Sequence, residues 1–212
     1  MYLGRIVAIG KNQDGKILTM YRVSSRSYPN RRTKKSDSSI EIIPRSGHEI
    51  ENLRNPYVSY KALRITDRYA VAGNGSHTDP IMERLGSGMH RIDAMGLVLL
   101  SMGYEKDNFQ TPRIASVIDW KESTGTLGII RHDALFVKDF DLKNGWIYYI
   151  ATYNHDYPDE KFNDKPFQVN DVNQACDYIL GKGVFADFEL PVSAACAIET
   201  DKGFVIGCKD IM

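Results

Sequence analysis

The sequence predicts an α+β protein in which two antiparallel sheets pack face to face and helices cover the outside. Short apolar segments with period-two alternation, punctuated by Gly, Asn, Asp and Pro, recur along the chain and mark strands. Two longer stretches, around Met95 and around Cys176, repeat at helical spacing instead. At 212 residues the chain can bury a substantial core, so residues 1–212 are read as one domain.

The elements follow in order. Tyr2 to Ile9 and Lys16 to Val23 make a hairpin about Asp14-Gly15, a dipeptide that accepts positive φ. Pro29 to Ser39 carries Arg31, Arg32, Lys34 and Lys35 without apolar periodicity and reads as a loop, and Ile40 to Pro44 as a short strand. Arg54-Asn55-Pro56-Tyr57 is a turn leading to Tyr60, Leu63 and Ile65, a pattern that fits helix or strand. Tyr57 and Tyr60 are expected to be half-buried with wet hydroxyls. Tyr69 to Ala72 is a strand, and Gly73 to Pro80 turns into a helix with Thr78 or Asp79 as N-cap and Pro80 at the first helical position.

Helices are expected from about Ile81 to Gly86 and from His90 to Gly103, the second with Ile92, Met95, Leu99 and Met102 on one face and with Ala94 and Gly96 permitting close packing. Asp93 in its first turn favours the helix dipole. After a loop from Glu105 to Arg113, strands at Ile114 to Ile118, Leu127 to Arg131, Ala134 to Val137 and Trp146 to Ala151 form a meander with turns at Gly125, His132-Asp133 and Asn144-Gly145. Tyr153 to Phe167 reads as loop. Val169 to Leu180 is a helix capped by Asn170 or Asp171 and ended by Gly181-Lys182-Gly183. Strands at Pro191 to Ile198 and Phe204 to Cys208 close the chain.

Composition limits function. Lys plus Arg and Asp plus Glu are 27 each, so no long-range field draws the protein to nucleic acid or an anionic membrane. Arg31 to Lys35 alone would have to carry RNA binding. Cys176, Cys196 and Cys208 match neither a disulfide framework nor a metal knuckle, which together with the lack of a signal-like apolar segment points to the cytoplasm. No apolar run approaches a membrane span. The five histidines have no metal-ligand spacing, and Walker, G-x-G-x-x-G, G-x-S-x-G and H-E-x-x-H patterns are missing, so no metal or other cofactor is indicated. Residues 1 and 2, Met and Tyr, offer no N-terminal nucleophile, which argues against self-processing amidase chemistry. Apolar helix faces and sheet edges permit a homo-oligomer.

Three stretches carry candidate chemistry. Tyr21 to Arg32 packs four arginines and three serines into twelve residues, suited to a phosphate or carboxylate. Alternation puts Arg22, Ser24 and Arg26 on one strand face and Val23 and Ser25 on the other; the plain alternative is a solvated basic loop. In Asn74-Gly75-Ser76-His77 the glycine allows close backbone approach to a ligand at a helix start, and an ordinary strand-to-helix turn explains it equally. Glu105 to Arg113 gathers a carboxylate, the Thr111 hydroxyl and an arginine in a loop, where catalytic groups often sit.

The blocks M-Y-L-G-R-I (Met1 to Ile6), Y-R-V-S-S-R-S-Y-P-N-R (Tyr21 to Arg31), R-N-P-Y (Arg54 to Tyr57), N-G-S-H-T-D (Asn74 to Asp79), Y-E-K-D (Tyr104 to Asp107) and T-P-R-I-A (Thr111 to Ala115) together resemble the archaeal-type IMP cyclohydrolases, specifically to about residue 120 and more loosely beyond. The resemblance implies closure of the pyrimidine ring of 5-formamidoimidazole-4-carboxamide ribonucleotide to IMP and water, the last step of purine synthesis. It also implies a four-layer α/β/β/α sandwich like that of the N-terminal nucleophile hydrolases, without their nucleophile. On that footing the substrate is a ribonucleotide monophosphate. Arg22, Ser24, Arg26 and Arg31 hold its phosphate, and the Asn74-Gly75-Ser76-His77 loop grips base or ribose, with Thr111 and Arg113 as further binding residues. Glu105 transfers protons with Tyr60 as hydrogen-bonding partner, Arg31 steadies the oxyanion, and His77 is the rival general acid. Two other readings are a non-catalytic purine-nucleotide-binding module and a linear-amide hydrolase of the same fold class.

Overall fold

The computed structural model describes residues 1–50 and 57–211. The N-terminal hairpin pairs β1 (Ile6–Lys11) with β2 (Ile17–Ser24). The chain then crosses to the other sheet, through β3 (Arg31–Lys35), β4 (Ser39–Pro44), β5 (Tyr60–Ile65) and β6 (Tyr69–Gly73). Two helices follow, α1 (Thr78–Gly86) and α2 (Arg91–Met102), and then β7 (Arg113–Asp119), β8 (Thr124–Ile130) and β9 (Leu135–Phe140). The chain returns to the first sheet with β10 (Trp146–Ala151) and β11 (Asn163–Asp164). Helix α3 (Val172–Gly181) and a 3₁₀ turn (Gly183–Asp187) lead to β12 (Pro191–Thr200) and β13 (Gly203–Asp210).

Among the described residues the strands form two antiparallel sheets, ordered β11-β10-β1-β2-β12-β13 and β3-β4-β5-β6-β7-β8-β9. Val7, Ile9, Tyr21 and Ile150 of the first sheet meet Ile42, Leu63, Ile118 and Leu127 of the second in a shared core. On the outer face of the first sheet, Ile6, Met20 and Cys196 pack on Cys176 and Ile179 of α3. On the outer face of the second, Val71 and Val117 pack on Ile81, Met95 and Leu99 of α1 and α2. Three successive apolar interfaces thus stack helix, sheet, sheet and helix, and β2 is buried on both faces.

The expected hairpin, both ends of α2 within a residue, and Asp171 as the cap of α3 are observed, the Asp171 side chain accepting from the Asn173 and Gln174 amides. Five expectations change, the first being that Asn163–Asp164, inside the stretch read as loop, pairs with β10 as the edge strand β11. Arg31 to Lys35 is a strand, not loop, at the edge of the second sheet, where its charges suit an unpaired edge. The cap of α1 is His77 rather than Thr78 or Asp79, because the Thr78 hydroxyl donates back to the Gly75 carbonyl. Gly125 lies inside β8, pressed by Ile9 of the facing sheet, while the turn falls earlier, with Ser123 at φ 52°. Close packing of α2 depends on Gly128 of β8, where a Cβ would collide with Met95, and not on Gly96, where a Cβ would meet Val137 at an ordinary 3.9 Å. The Arg54-Asn55-Pro56 turn lies outside the described residues.

Candidate active site

A cleft of about 340 Å³ opens at one end of the sandwich. The strand registers explain why residues far apart in sequence meet there. Ile6 pairs with Arg22 and Ala151, and Pro191 with Ser24, so Arg5, Ser25 and Thr152 leave the first sheet at the same end. In the second sheet Arg31 pairs with Pro44, Tyr60 with Ile42 and Ala115 with Gly73, so the starts of β3, β5 and β7 and the end of β6 share that end.

One wall is the segment after β2, with Ser25, Arg26, Ser27 and Tyr28; the other is the loop Glu105 to Thr111 with Tyr57. Asp107 shapes that loop, since its carboxylate accepts from the Phe109 and Thr111 amides and from the Thr111 hydroxyl at 2.7 Å. Arg5 and Tyr2 line the third side. Arg5 is held at its backbone, its amide donating to the Thr152 hydroxyl and its carbonyl accepting from the Thr152 amide, and the approach is possible because Gly4 has φ 72° and no side chain to strike that hydroxyl.

The electrostatics concentrate at the inner end. Glu105 is 2% exposed, and burial pushes its carboxyl up to about 7 despite the downward pull of Arg5, Arg113 and Arg31. Arg113 lies 3.8 Å from its Oε1. Arg31 is fully buried, and none of its guanidinium nitrogens has a hydrogen-bond partner among the described residues; nor has the Arg5 Nε. Buried donors left unsatisfied cost about 1–3 kcal/mol each, so a set of this kind fits a polar or anionic ligand. The Tyr21 and Tyr60 hydroxyls meet at 2.6 Å beside these groups. Burial, followed by Tyr60, holds the Tyr21 phenol well above its ordinary range, so it stays neutral. A second cavity, of about 510 Å³, sits at the other end of β6 and β7, but its Arg68 and Arg91 are already in ion pairs with Asp119, Glu122 and Asp139.

Residues 2–203 match the family described as IMP cyclohydrolase-like protein. The chain belongs to that family. Relatives named IMP cyclohydrolase include those of Methanosphaera stadtmanae, 40% identical over 95% of this chain and 96% of the relative, and Methanocaldococcus jannaschii, 40% identical over 99% of both. That of Methanothrix thermoacetophila is 38% identical over 96% of each. No described helix of this IMP cyclohydrolase family member is long and apolar enough to cross a membrane.

Of the residues predicted for the site, Glu105, Arg26 and Thr111 line the cleft, and Arg31, Tyr60 and Arg113 gather directly around its inner end. Arg22 does not belong there. It points to the outer face, where its guanidinium donates to the carbonyls of Ile179, Leu180, Phe185, Phe188 and Glu189, and its Nε donates to the Ser24 hydroxyl at 2.8 Å. Ser24 is likewise structural. The alternation was sound, but the face carrying Arg22 and Ser24 looks toward α3, and Arg26 reaches the cleft because β2 has ended at Ser24.

Asn74 is a backbone pin, donating to the Pro112 carbonyl at 2.9 Å and accepting from the Ile114 amide at 2.8 Å, and Ser76 is exposed away from the cleft lining. Gly75 makes room for Arg113. His77 is not in the cleft lining: it is fully buried, its Nε2 donates to the Ile114 carbonyl, and burial followed by Arg113 pushes its ring down to about 3. The Tyr60 hydroxyl is buried and bonded, not wet. Arg5, Ser25 and Tyr21 escaped sequence reasoning. All three stand inside resembling blocks, which was the available signal.

Proposed function

We propose that this protein is an IMP cyclohydrolase that closes the ring of 5-formamidoimidazole-4-carboxamide ribonucleotide, releasing water. The carrying observation is the buried Glu105 carboxyl, balanced near neutral pH and surrounded by Arg5, Arg31 and Arg113 at the inner end of the cleft. The names of the relatives, at 38–40% identity over nearly the whole chain, support the same reading.

The chemistry assigns work to this arrangement. A carboxamide nitrogen is a feeble nucleophile, so both reacting groups must be held in line and the charge on the formyl oxygen stabilised. The nitrogen adds to the formyl carbon, and its proton passes by way of Glu105 to the developing alkoxide. The carbinolamine then loses its hydroxyl as water with the proton of the former formamide nitrogen, leaving a C=N bond. A carboxyl half-ionised at neutral pH both accepts and returns protons. Arg31, with unsatisfied donors, suits the oxyanion, and the Tyr21–Tyr60 pair fixes the donor direction beside it. At the rim, exposed Arg26 and the hydroxyls of Ser25 and Ser27 suit the phosphate dianion.

The layer order supports a likeness to the N-terminal nucleophile hydrolases, with Tyr2 rather than a nucleophile in the cleft. A cytoplasmic location, with no nucleic-acid partner, fits the zero net charge and three free cysteines. The test is to mix the protein with the formylated ribonucleotide and follow ultraviolet absorbance. Purine should appear with the native chain and at least ~100-fold more slowly with Glu105→Gln, while nucleotide binding persists. Binding without ring closure by the native chain would leave a nucleotide-binding module instead.

A further inference from the structure

The proposed reaction uses Glu105 and its arginines but gives no work to His77, whose ring is buried a few residues from the cleft. The Ile114 carbonyl can only accept, so the 2.8 Å contact requires the proton on Nε2 of the neutral ring. That leaves Nδ1 as a bare acceptor, and it has no partner among the described residues. Arg113 is the complement: its Nε and Nη1 are buried donors without partners, and Nη1 is the atom 3.8 Å from the Glu105 carboxylate.

Gly75 brings the two together. Both His77 Nδ1 and Arg113 Nη1 lie within 3.2 Å of the point where a Cβ on residue 75 would sit. The absent side chain is the gap between them. From this juxtaposition we infer that His77 is a positioning residue, locked by Ile114 in the Nε2–H form so that its Nδ1 lone pair takes a hydrogen bond from Arg113 through one water in the gap at Gly75, and steers that guanidinium toward Glu105.

The consequence for Glu105 has a definite sign. The charged groups acting on it are Arg5, Arg113 and Arg31, which favour the carboxylate, and Asp107, which opposes it. Releasing Arg113 from His77 removes one favourable cation, so the carboxyl should hold its proton to higher pH.

The inference concerns the site of the proposed reaction, but its test reads the titration of Glu105 by carbon NMR of the labelled carboxyl, not turnover. Gly75→Ala wedges a methyl between the two groups while leaving His77 intact, and His77→Leu removes the acceptor. Each should move the Glu105 midpoint up by about one pH unit, the low end of the range for one displaced charge. His77→Asn, which restores an acceptor near the Nδ1 position, should return it toward the native value. In the unaltered protein the nitrogen resonance of His77 Nδ1 should be that of an unprotonated, hydrogen-bonded atom from pH 5 to 8, a measurement that stands even if a variant fails to fold. An unmoved Glu105 midpoint in folded Gly75→Ala, or an Nδ1 resonance without a hydrogen bond, overturns the inference. Failure of the native protein to close the ring, with the variant midpoints shifted as expected, would count against the proposed reaction and leave the inference standing.

Discussion

The hydroxyl of Tyr21, on β2 of one sheet, lies 2.6 Å from that of Tyr60, on β5 of the other, at the buried end of the cleft. The rings meet edge to face at 76°, so the two sheets are tied by a polar contact where the rest of their interface is mainly apolar. A companion contact, Thr19 to Ser116 at 2.7 Å, sits deeper between the same sheets.

Removing one member of the tyrosine pair should therefore affect stability and site together. Tyr21→Phe leaves the Tyr60 hydroxyl buried without its partner and should cost about 1–3 kcal/mol in urea unfolding, with a parallel loss of turnover. The double variant Tyr21→Phe/Tyr60→Phe should lose less stability than the two single losses added, as expected for a shared bond. Additive losses would show that the hydroxyls act independently.

Glu105 should make stability depend on pH in an unusual direction. Its folded-state carboxyl titrates at about 7 against 4.5 for a free one, so the native state binds the extra proton between those values. Stability contributed by this group is full below pH 4.5 and falls as pH rises through 7. The size is on the order of 3 kcal/mol from the two limits. Glu105→Gln should accordingly be more stable than the native protein at pH 8, but not at pH 5, although ring closure is lost. Denaturant midpoints at both pH values check it.

Arg22 and Arg26, four residues apart, should give opposite phenotypes. Arg22→Ala strips the donors from five carbonyls and should destabilise by more than about 3 kcal/mol, with native affinity in whatever fraction folds. Arg26→Ala, at an exposed rim position whose guanidinium lies 4.2 Å from the Tyr2 ring centroid, should leave stability within about 0.5 kcal/mol and weaken mononucleotide binding roughly tenfold or more. Calorimetric titration alongside thermal unfolding separates the two.

Gly4→Ala should disturb the cleft from behind. A methyl at φ 72° would strike the Thr152 hydroxyl, so the Arg5 backbone must shift. A loss of at least about 2 kcal/mol is expected, with reduced turnover even at temperatures where the variant is folded.

Much of this architecture could be read from residue patterns, and the misreadings have physical causes. Strands and helices with one apolar face, such as β4 and α3, declare themselves by period. β2 does not, because sheet and helix cover its two sides and alternation then separates two interiors rather than inside from outside. Arg22 and Arg26 looked alike for that reason. β3 read as loop because an edge strand is protected by the very charges, Arg32, Lys34 and Lys35, that erase apolar periodicity. Glu105 was visible as a carboxylate in a loop, but the cations around it, Arg5 from the first sheet and Arg113 and Arg31 from the second, meet it only because both sheets end there. Arg5 itself was a single cation before an apolar run, distinguished only by its place in the Met1 to Ile6 block.

The position of β12 between β2 and β13 bears on how the chain is made. While the protein emerges from a ribosome, the free side of β2 has no partner until residues 191–200 are synthesised, and Arg22 must wait about as long for the carbonyls that satisfy it. The N-terminal hairpin is therefore an open edge during most of translation, and nascent chains stalled before β12 should be the form most prone to aggregation and most in need of chaperones.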